Sequence, residues 1–137
     1  MINFFIETPF ELKQKNEITA WIKFVIEQEN YNQGEINYIF CDDEYLLEKN
    51  IKYLKHNTLT DIISFDYTVK NIISGDIFIS IERVEENAKE FGIKFNDELH
   101  RVIVHGILHY CGYNDKKIPE KQEMRSKEDY YLSLRTF

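Results

Sequence analysis

The stretch NDELHRVIVHGILHYCGYND, residues 96–115, predicts an amphipathic helix that ends in a glycine turn. Asn96 is a favourable N-cap for a helix over about 97–111. Its apolar residues recur at helical spacing, namely Leu99, Val102, Ile103, Ile107 and Leu108. Gly112 ends the helix because glycine adopts the left-handed conformation without a steric penalty. We therefore expect a helix with one apolar side, followed by a sharp turn.

The segments around this helix are predicted to form further strands and helices. Strands are expected at 2–6, 35–42, 60–67 and 73–81, with the last two as neighbours. Helices are expected at 10–29, from Asp42 or Asp43 to about 54, from about 80 to 91, and after Pro119 to about 134. Because the helices collect toward the end of the chain, the order favours an α+β fold with a small mixed sheet.

Composition limits the protein to a few classes. The 137 residues contain no composition shift typical of a linker, so we expect one domain over 1–137. No apolar run reaches the roughly 18 residues of a spanning helix, and no signal peptide is recognisable, which predicts a cytoplasmic protein with no membrane contact. The two cysteines, Cys41 and Cys111, do not form a C-x-x-C pair.

The charge argues against a general nucleic-acid-binding protein. The net charge is -7, whereas neutralisation of phosphates dominates non-specific binding of nucleic acids. Basic residues are nevertheless clustered at Lys49, Lys52, Lys55, and again at Lys116, Lys117, Lys121, Arg125 and Lys127. Each cluster is either a solvated surface or a local binding patch.

His105, His109 and Asp115 form a predicted metal site. The two histidines are one helical turn apart, so both imidazoles leave the same face with Cβ atoms about 6 Å apart. The turn at Gly112 brings a residue two or three positions later back toward this face, where Asp115 stands. The alternative is that the histidines are surface or core residues, Asp115 caps the next helix and Gly112 is only a C-cap.

Gly106 bears on the kind of chemistry. In the H-E-x-x-H pattern of metallopeptidases, the residue after the first histidine is a glutamate that acts as the base. This chain has Gly106 at that position, so the motif lacks the base. A hydrolase that uses the metal differently is therefore favoured.

Several segments resemble the YbeY family of rRNA maturation factors, described as zinc-dependent, single-strand-specific endoribonucleases. HGILHYCGYND at 105–115 resembles that family's H-G-x-L-H-L-x-G-Y-D-H motif, TDIISF at 60–65 its P-T-D-V-L-S-F segment, and GDIFIS at 75–80 its L-G-D-I-x-I strand. Met124 and Glu128 match its M-x-x-x-E. The resemblance implies a zincin-like α+β domain with one Zn²⁺ held by three side chains. It also implies a role on ribosomal particles, in maturation of the small-subunit rRNA 3′ end and in ribosome quality control.

The chain departs from the family pattern in two places, at the end of the histidine motif and at residue 54. Asp115 stands where the third histidine would be, and Asn114 where the aspartate would be. A carboxylate oxygen is an ordinary zinc ligand, so we expect a working site at which Mn²⁺ competes better. Leu54 stands where the family often has an arginine linked to activity, and the adjacent Lys55 is either its substitute for transition-state charge or a solvated lysine.

The remaining polar residues have simpler interpretations. We expect Lys116 and Lys117, together with Lys55, to line a groove for single-stranded RNA. His100 and His56 are predicted to be exposed, and Cys111 to be a small buried thiol. Asp61, Ser64 and Asp76 lie in segments that match the family, and capping of strand ends is enough to explain their presence there.

Three functions are compatible with these patterns. The first is a zinc-dependent endoribonuclease acting on single-stranded rRNA. The second is a zincin-like metallopeptidase, against which Gly106 argues. The third is a non-catalytic ribosome-assembly factor in which zinc only stiffens the turn between two helices.

Overall fold

A four-stranded sheet forms the frame of the computed structural model, which describes residues 1–55 and 59–137. Its strands are β1 (Ile2–Ile6), β2 (Asn32–Cys41), β3 (Ile62–Asp66) and β4 (Ile72–Ser80), in the order β1-β2-β4-β3. The β1/β2 and β2/β4 pairs are parallel, whereas β3 is antiparallel to β4. The small mixed sheet predicted from the sequence is confirmed.

Five α-helices accompany the sheet within the described ranges. They are α1 (Lys15–Gln28), α2 (Asp43–Lys49), α3 (Ile81–Phe91), α4 (Phe95–Tyr110) and α5 (Ile118–Ser133). A π-helical segment, Asn50–Leu54, continues α2. Because α3, α4 and α5 all follow the last strand, the predicted α+β class is confirmed.

Helix α4 lies against the sheet through its apolar side. Val102, Ile103 and Ile107 are almost fully buried in the main core. The hydroxyl of Tyr38 on β2 donates to the carbonyl of Ile103 at 2.9 Å, tying the helix to the centre of the sheet. A Cβ built on Gly106 would lie only 3.0 Å from Cδ1 of Ile77, so the helix approaches the sheet closely at this glycine.

Two predicted helix starts are wrong. The first helix begins at Lys15 rather than at residue 10, because Phe10 precedes it as a core anchor in a non-helical segment. The Phe10 ring packs 5.7 Å from that of Phe40 and 6.0 Å from that of Phe95. Helix α4 begins at Phe95 with Lys94 as its N-cap, so the predicted cap Asn96 lies inside the first turn.

The prediction that His100 is exposed is also wrong. Only 4% of this residue is accessible. Its ring centroid lies 6.0 Å from that of Trp21 on α1 and 5.1 Å from that of Phe137, because α1 and the C-terminal residues cover this side of α4. The guanidinium of Arg135 donates to Nδ1 of His100 at 2.6 Å. The prediction for His56 falls outside the described residues.

No helix in the described ranges is both long enough and apolar enough to cross a membrane.

Candidate metal centre

The three predicted ligands meet at the C-terminal end of α4. His105 Nε2 and His109 Nε2 are 2.9 Å apart, and Oδ2 of Asp115 lies 3.2 Å from the first and 3.4 Å from the second. The positive φ of 97° at Gly112 makes the turn that returns Asp115 to the histidine face. The turn therefore brings Asp115 back to the histidine face, as expected from Gly112. Asp115 is not the N-cap of α5, because Lys117 occupies that position.

Each histidine ring is oriented by a partner at its other nitrogen. Nδ1 of His105 lies 2.6 Å from Oε2 of Glu128, and Nδ1 of His109 lies 2.9 Å from the carbonyl oxygen of Tyr113. Both oxygens accept hydrogen bonds, so both Nδ1 atoms carry the proton in the neutral rings. The two Nε2 lone pairs therefore point at each other and at the Asp115 carboxylate.

This donor set fits a metal ion. Three acceptor atoms so close together repel one another unless a proton or a metal ion lies between them. A tetrahedral ion with bonds of about 2.0 Å holds its ligand atoms about 3.3 Å apart, close to the spacings of these three atoms. His105, His109 and Asp115 are the one group of three or more such ligands found among the described residues. Their role as ligands is taken up under the proposed function.

A cavity of about 480 Å³ opens in front of the three ligands. It is lined by four acids and two arginines in addition to the histidines, namely Asp61, Glu98, Asp115, Glu128, Arg101 and Arg125. Burial raises the pKa of Asp61 and of Glu98, the latter with help from the charge of Asp61. These two carboxyls therefore keep a proton more readily than exposed acids do.

The two histidines of the site differ in their affinity for protons. Burial opposes protonation of His105, but the hydrogen bond and the charge of Glu128 raise its pKa above the usual value. Burial and the charge of His105 lower the pKa of His109. Since a metal ion competes with protons for these nitrogens, Glu128 both orients His105 and makes it a stronger base.

Glu128 is the site residue whose role the sequence did not indicate. It is 4% exposed, and its Oε1 accepts a hydrogen bond of 2.9 Å from Nη1 of Arg101. The family resemblance pointed to its position in M-x-x-x-E without a contact to His105. The signal available in the sequence was the spacing, because Glu128 follows Met124 by one helical turn and so shares the face that buries the methionine. Asp61, interpreted as a strand-end cap, also proves to line the cavity.

Three predicted RNA-facing lysines lie away from this cavity. Lys55 is exposed, follows the π-helical segment with a φ of 58°, and is absent from the cavity lining. Lys116 and Lys117 are exposed just before α5 and do not line the cavity either. Their roles stay predictions. Cys111 is buried as predicted, and burial raises its pKa to about 12, so it remains a thiol.

The fold and the ligand geometry define an α+β protein with a metal-type site at the end of its helix α4. The chain belongs to the YbeY family, because residues 5–135 match the family model described as Endoribonuclease YbeY. This confirms the resemblance found in the sequence.

Relatives of known name are similar over nearly the whole chain. The Endoribonuclease YbeY of Flavobacterium johnsoniae is 60% identical over 134 residues, which are 98% of this chain and 96% of the relative. That of Flavobacterium psychrophilum is 56% identical with the same coverage of both chains. The solution structure of TM1509 from Thermotoga maritima matches with a TM-score of 0.69 at 26% identity, covering 97% of this chain and 87% of the other.

Proposed function

We propose that this protein is a zinc-dependent endoribonuclease that cuts single-stranded RNA. The observation that carries the proposal is the convergence of His105, His109 and Asp115 on one point, while Nδ1 of each histidine contacts an oxygen atom on the other side of its ring. Two imidazoles and one carboxylate form a ligand set that zinc enzymes use, and three protein ligands leave a position open for catalysis. The negative charge of Asp115 makes Mn²⁺ a stronger competitor than at a site of three histidines.

The side chains of the protein orient the proposed metal ligands, hold a proton and contact the RNA. When bound, Zn²⁺ supplies a Lewis acid that polarises a phosphoryl oxygen and lowers the pKa of water. Glu128 holds the His105 ring and Arg101 holds Glu128, so the ligand nitrogen is fixed before substrate arrives. Asp61, on the cavity wall, is a carboxyl that can hold a proton beside the substrate. Lys55, Lys116 and Lys117 are proposed to contact RNA outside the cavity.

The biological substrate is proposed to be rRNA. The relatives of known name are called endoribonucleases, which supports RNA as the substrate class. Membership of the family further supports action on ribosomal particles in the cytoplasm, at the 3′ end of the small-subunit rRNA. A strand that is already single needs no melting before it enters a narrow cavity, which fits single-stranded RNA better than a duplex.

Metal analysis and RNA cleavage together test the proposal. We expect one zinc per chain and cleavage of a single-stranded oligoribonucleotide, with a paired duplex of the same sequence left intact. Asp115→Ala should weaken zinc binding at least tenfold and abolish cleavage, because it removes one of three ligands. Asn114→Ala, at the exposed neighbouring position, is the matched control and should retain both. Unchanged zinc affinity in Asp115→Ala would exclude Asp115 as a ligand.

The same variants separate the alternatives. Metal-dependent cleavage of peptides without cleavage of RNA would identify a metallopeptidase. Zinc-bound wild-type protein that restores the mature 3′ end of the small-subunit rRNA in a strain lacking it, but cuts no RNA in the cleavage assay, would identify a non-catalytic assembly factor. We expect the wild-type chain to restore the 3′ end and Asp115→Ala to fail.

A further inference from the structure

The cavity in front of the metal centre carries little positive charge for a site that receives a phosphodiester. Among the described residues that line it, the permanent cations are Arg101 and Arg125, set against four carboxylates. Burial raises the pKa of Asp61 and of Glu98, so these two carboxyls keep a proton more readily than exposed acids do. A phosphate entering the cavity still needs a cationic side chain that is not already neutralised.

Arg101 is held in place by other residues. Nη1 donates to Glu128 at 2.9 Å and Nη2 donates to Asp129 at 2.8 Å, so both ends of its guanidinium fork are occupied. Its side chain is only 16% exposed. Arg101 therefore acts as a clamp on Glu128, and only a small part of its side chain is left for a substrate to contact.

Arg125 has the opposite properties. Its side chain is 58% exposed, and its ion pair with Oε1 of Glu128 is 3.8 Å long, beyond hydrogen-bonding distance. That oxygen already accepts a hydrogen bond from Arg101, so it does not compete strongly for Arg125. The Arg125 guanidinium thus keeps donors for a ligand at the edge of a cavity that contains His109 and Asp115.

Arg125 also joins the cavity to a neighbouring surface. A second, shallower depression is lined by Lys121, Gln122, Arg125, Ser126 and Asp129. Arg125 is common to both linings, and Lys121 lies one turn before it on α5, about 6 Å along the helix axis. The acidic residue that lines this depression is Asp129, and its Oδ1 already accepts a hydrogen bond from Arg101. Lys121 and Arg125 therefore form a continuous cationic edge leading to the metal ligands.

We propose that Arg125 binds an RNA phosphate beside the metal centre and that Lys121 binds the neighbouring phosphate outside the cavity. This inference rests on the proposed endoribonuclease function. A guanidinium fork recognises phosphate through two parallel hydrogen bonds, whereas a lysine contributes a point charge at the periphery. The strand enters over α5, and its path is set by these two side chains.

Binding at several salt concentrations tests the inference on the zinc-loaded protein. The probe is a fluorescent, single-stranded 2′-O-methyl oligoribonucleotide, shown intact by gel and followed by anisotropy. Arg125→Gln should weaken binding about tenfold. It should also reduce the slope of log affinity against log salt by about 0.7, the value for one lost phosphate contact on a single strand. Arg125→Lys should restore the slope but only part of the affinity, and Lys121→Gln should weaken binding less than Arg125→Gln.

The control variant is Lys23→Gln, which removes one positive charge from an exposed position on α1, away from the cavity lining. It should bind like the wild type, and Arg125→Gln should keep the zinc content and melting temperature of the wild type. An unchanged affinity and salt slope in Arg125→Gln would overturn the inference, as would a loss of binding accompanied by loss of zinc. If the wild-type protein cuts RNA and either of these results is obtained with Arg125→Gln, the proposed function stands and only the role of Arg125 is excluded.

Discussion

At the scale of single residues, the metal centre depends on side chains that hold the ligands as much as on the ligands. Helical spacing alone places His105 and His109 on one face, so the sequence predicted both. Glu128 is separated from His105 by 23 positions, and only packing of α5 against α4 brings the two into contact at 2.6 Å. Burial of the Glu128 carboxylate is tolerated because Arg101 and His105 both pair with it.

Glu128→Gln is expected to weaken zinc binding by about 10-fold to 100-fold. Glutamine has nearly the same shape, but a neutral amide accepts a weaker hydrogen bond from His105 and no longer raises the basicity of the ring. A competition titration with a chromogenic chelator measures the affinity.

The matched control for this change is Asp129→Asn. Asp129 also accepts a hydrogen bond from Arg101 but, unlike Glu128, does not pair with His105. Its zinc affinity should stay within about twofold of the wild type. Equal losses in the two variants would show that Glu128 acts through Arg101 and the general packing of α5, and not through the imidazole.

At the scale of elements, the position of α4 on the sheet depends on a small residue in β4. The hydroxyl of Tyr110 donates to the carbonyls of Phe65 at 3.0 Å and Asp76 at 3.1 Å, crossing β4 at Gly75. Tyr110 directly follows the ligand His109, so this contact anchors the end of the helix that bears the site. Periodicity predicted the helix, but it could not identify which strand residue the tyrosine crosses.

Gly75→Ala is expected to lower the free energy of unfolding by about 2 kcal/mol or more, because overpacking forces the backbone or the ring to move. A Cβ at this position would lie 2.5 Å from the carbonyl oxygen of Phe65 and also against the Tyr110 hydroxyl. Urea denaturation measures the change. The neighbouring Ser74→Ala should cost less than about 1 kcal/mol, and similar midpoints for the two variants would contradict the expected clash.

At the scale of the whole molecule, the main hydrophobic core contains none of the three residues of the candidate metal centre. The main cluster of buried side chains combines residues of α1, β2, β4, α3, α4 and α5. The three residues proposed as metal ligands lie on α4 and on the turn after it, outside the main cluster. The tertiary structure is therefore expected to form first and to present a preorganised site.

Removal of zinc should leave a folded protein with a lower melting temperature. Zinc at one hundred times its dissociation constant stabilises the folded state by about 2.7 kcal/mol, which corresponds to roughly 5–10 °C for a chain of this size. Calorimetry of the chelated and the zinc-loaded protein measures this shift. A far-ultraviolet circular dichroism spectrum typical of an unfolded chain after chelation would contradict the expectation.

His100 makes stability fall in acid. Burial, assisted by the charge of Arg135, lowers the pKa of His100 from 6.5 to about 4. Between these values the unfolded chain binds more protons than the folded one, so stability rises with pH and is lost on acidification, by up to about 3 kcal/mol. His100→Asn keeps a hydrogen-bond acceptor near Arg135 but does not titrate in this range. Urea midpoints from pH 7 to pH 4 should fall more steeply in the wild type than in this variant, and parallel slopes would refute the assignment.

The features that could be predicted correctly from the sequence are those that depend on neighbours along the chain. The β-branched runs specified β3 and β4, and the helix predicted from about 80 to 91 is α3, which Ser80 and Gly92 cap. The His105/His109 spacing and the Gly112 turn likewise predicted which three residues come together at the candidate metal centre. Each of these follows from the conformational preferences of a few adjacent residues. That is why they could be predicted without tertiary contacts.

The features that depend on distant segments were set by tertiary packing. Packing buries His100 against Trp21 and Phe137 and brings Phe10 against Phe40, outside the first helix. It also brings Glu128 into contact with His105. These outcomes are set by side-chain packing between elements that are far apart in sequence, for which local periodicity carries no information. The ligands are thus encoded locally, whereas their protonation, orientation and access to a substrate are properties of the assembled fold.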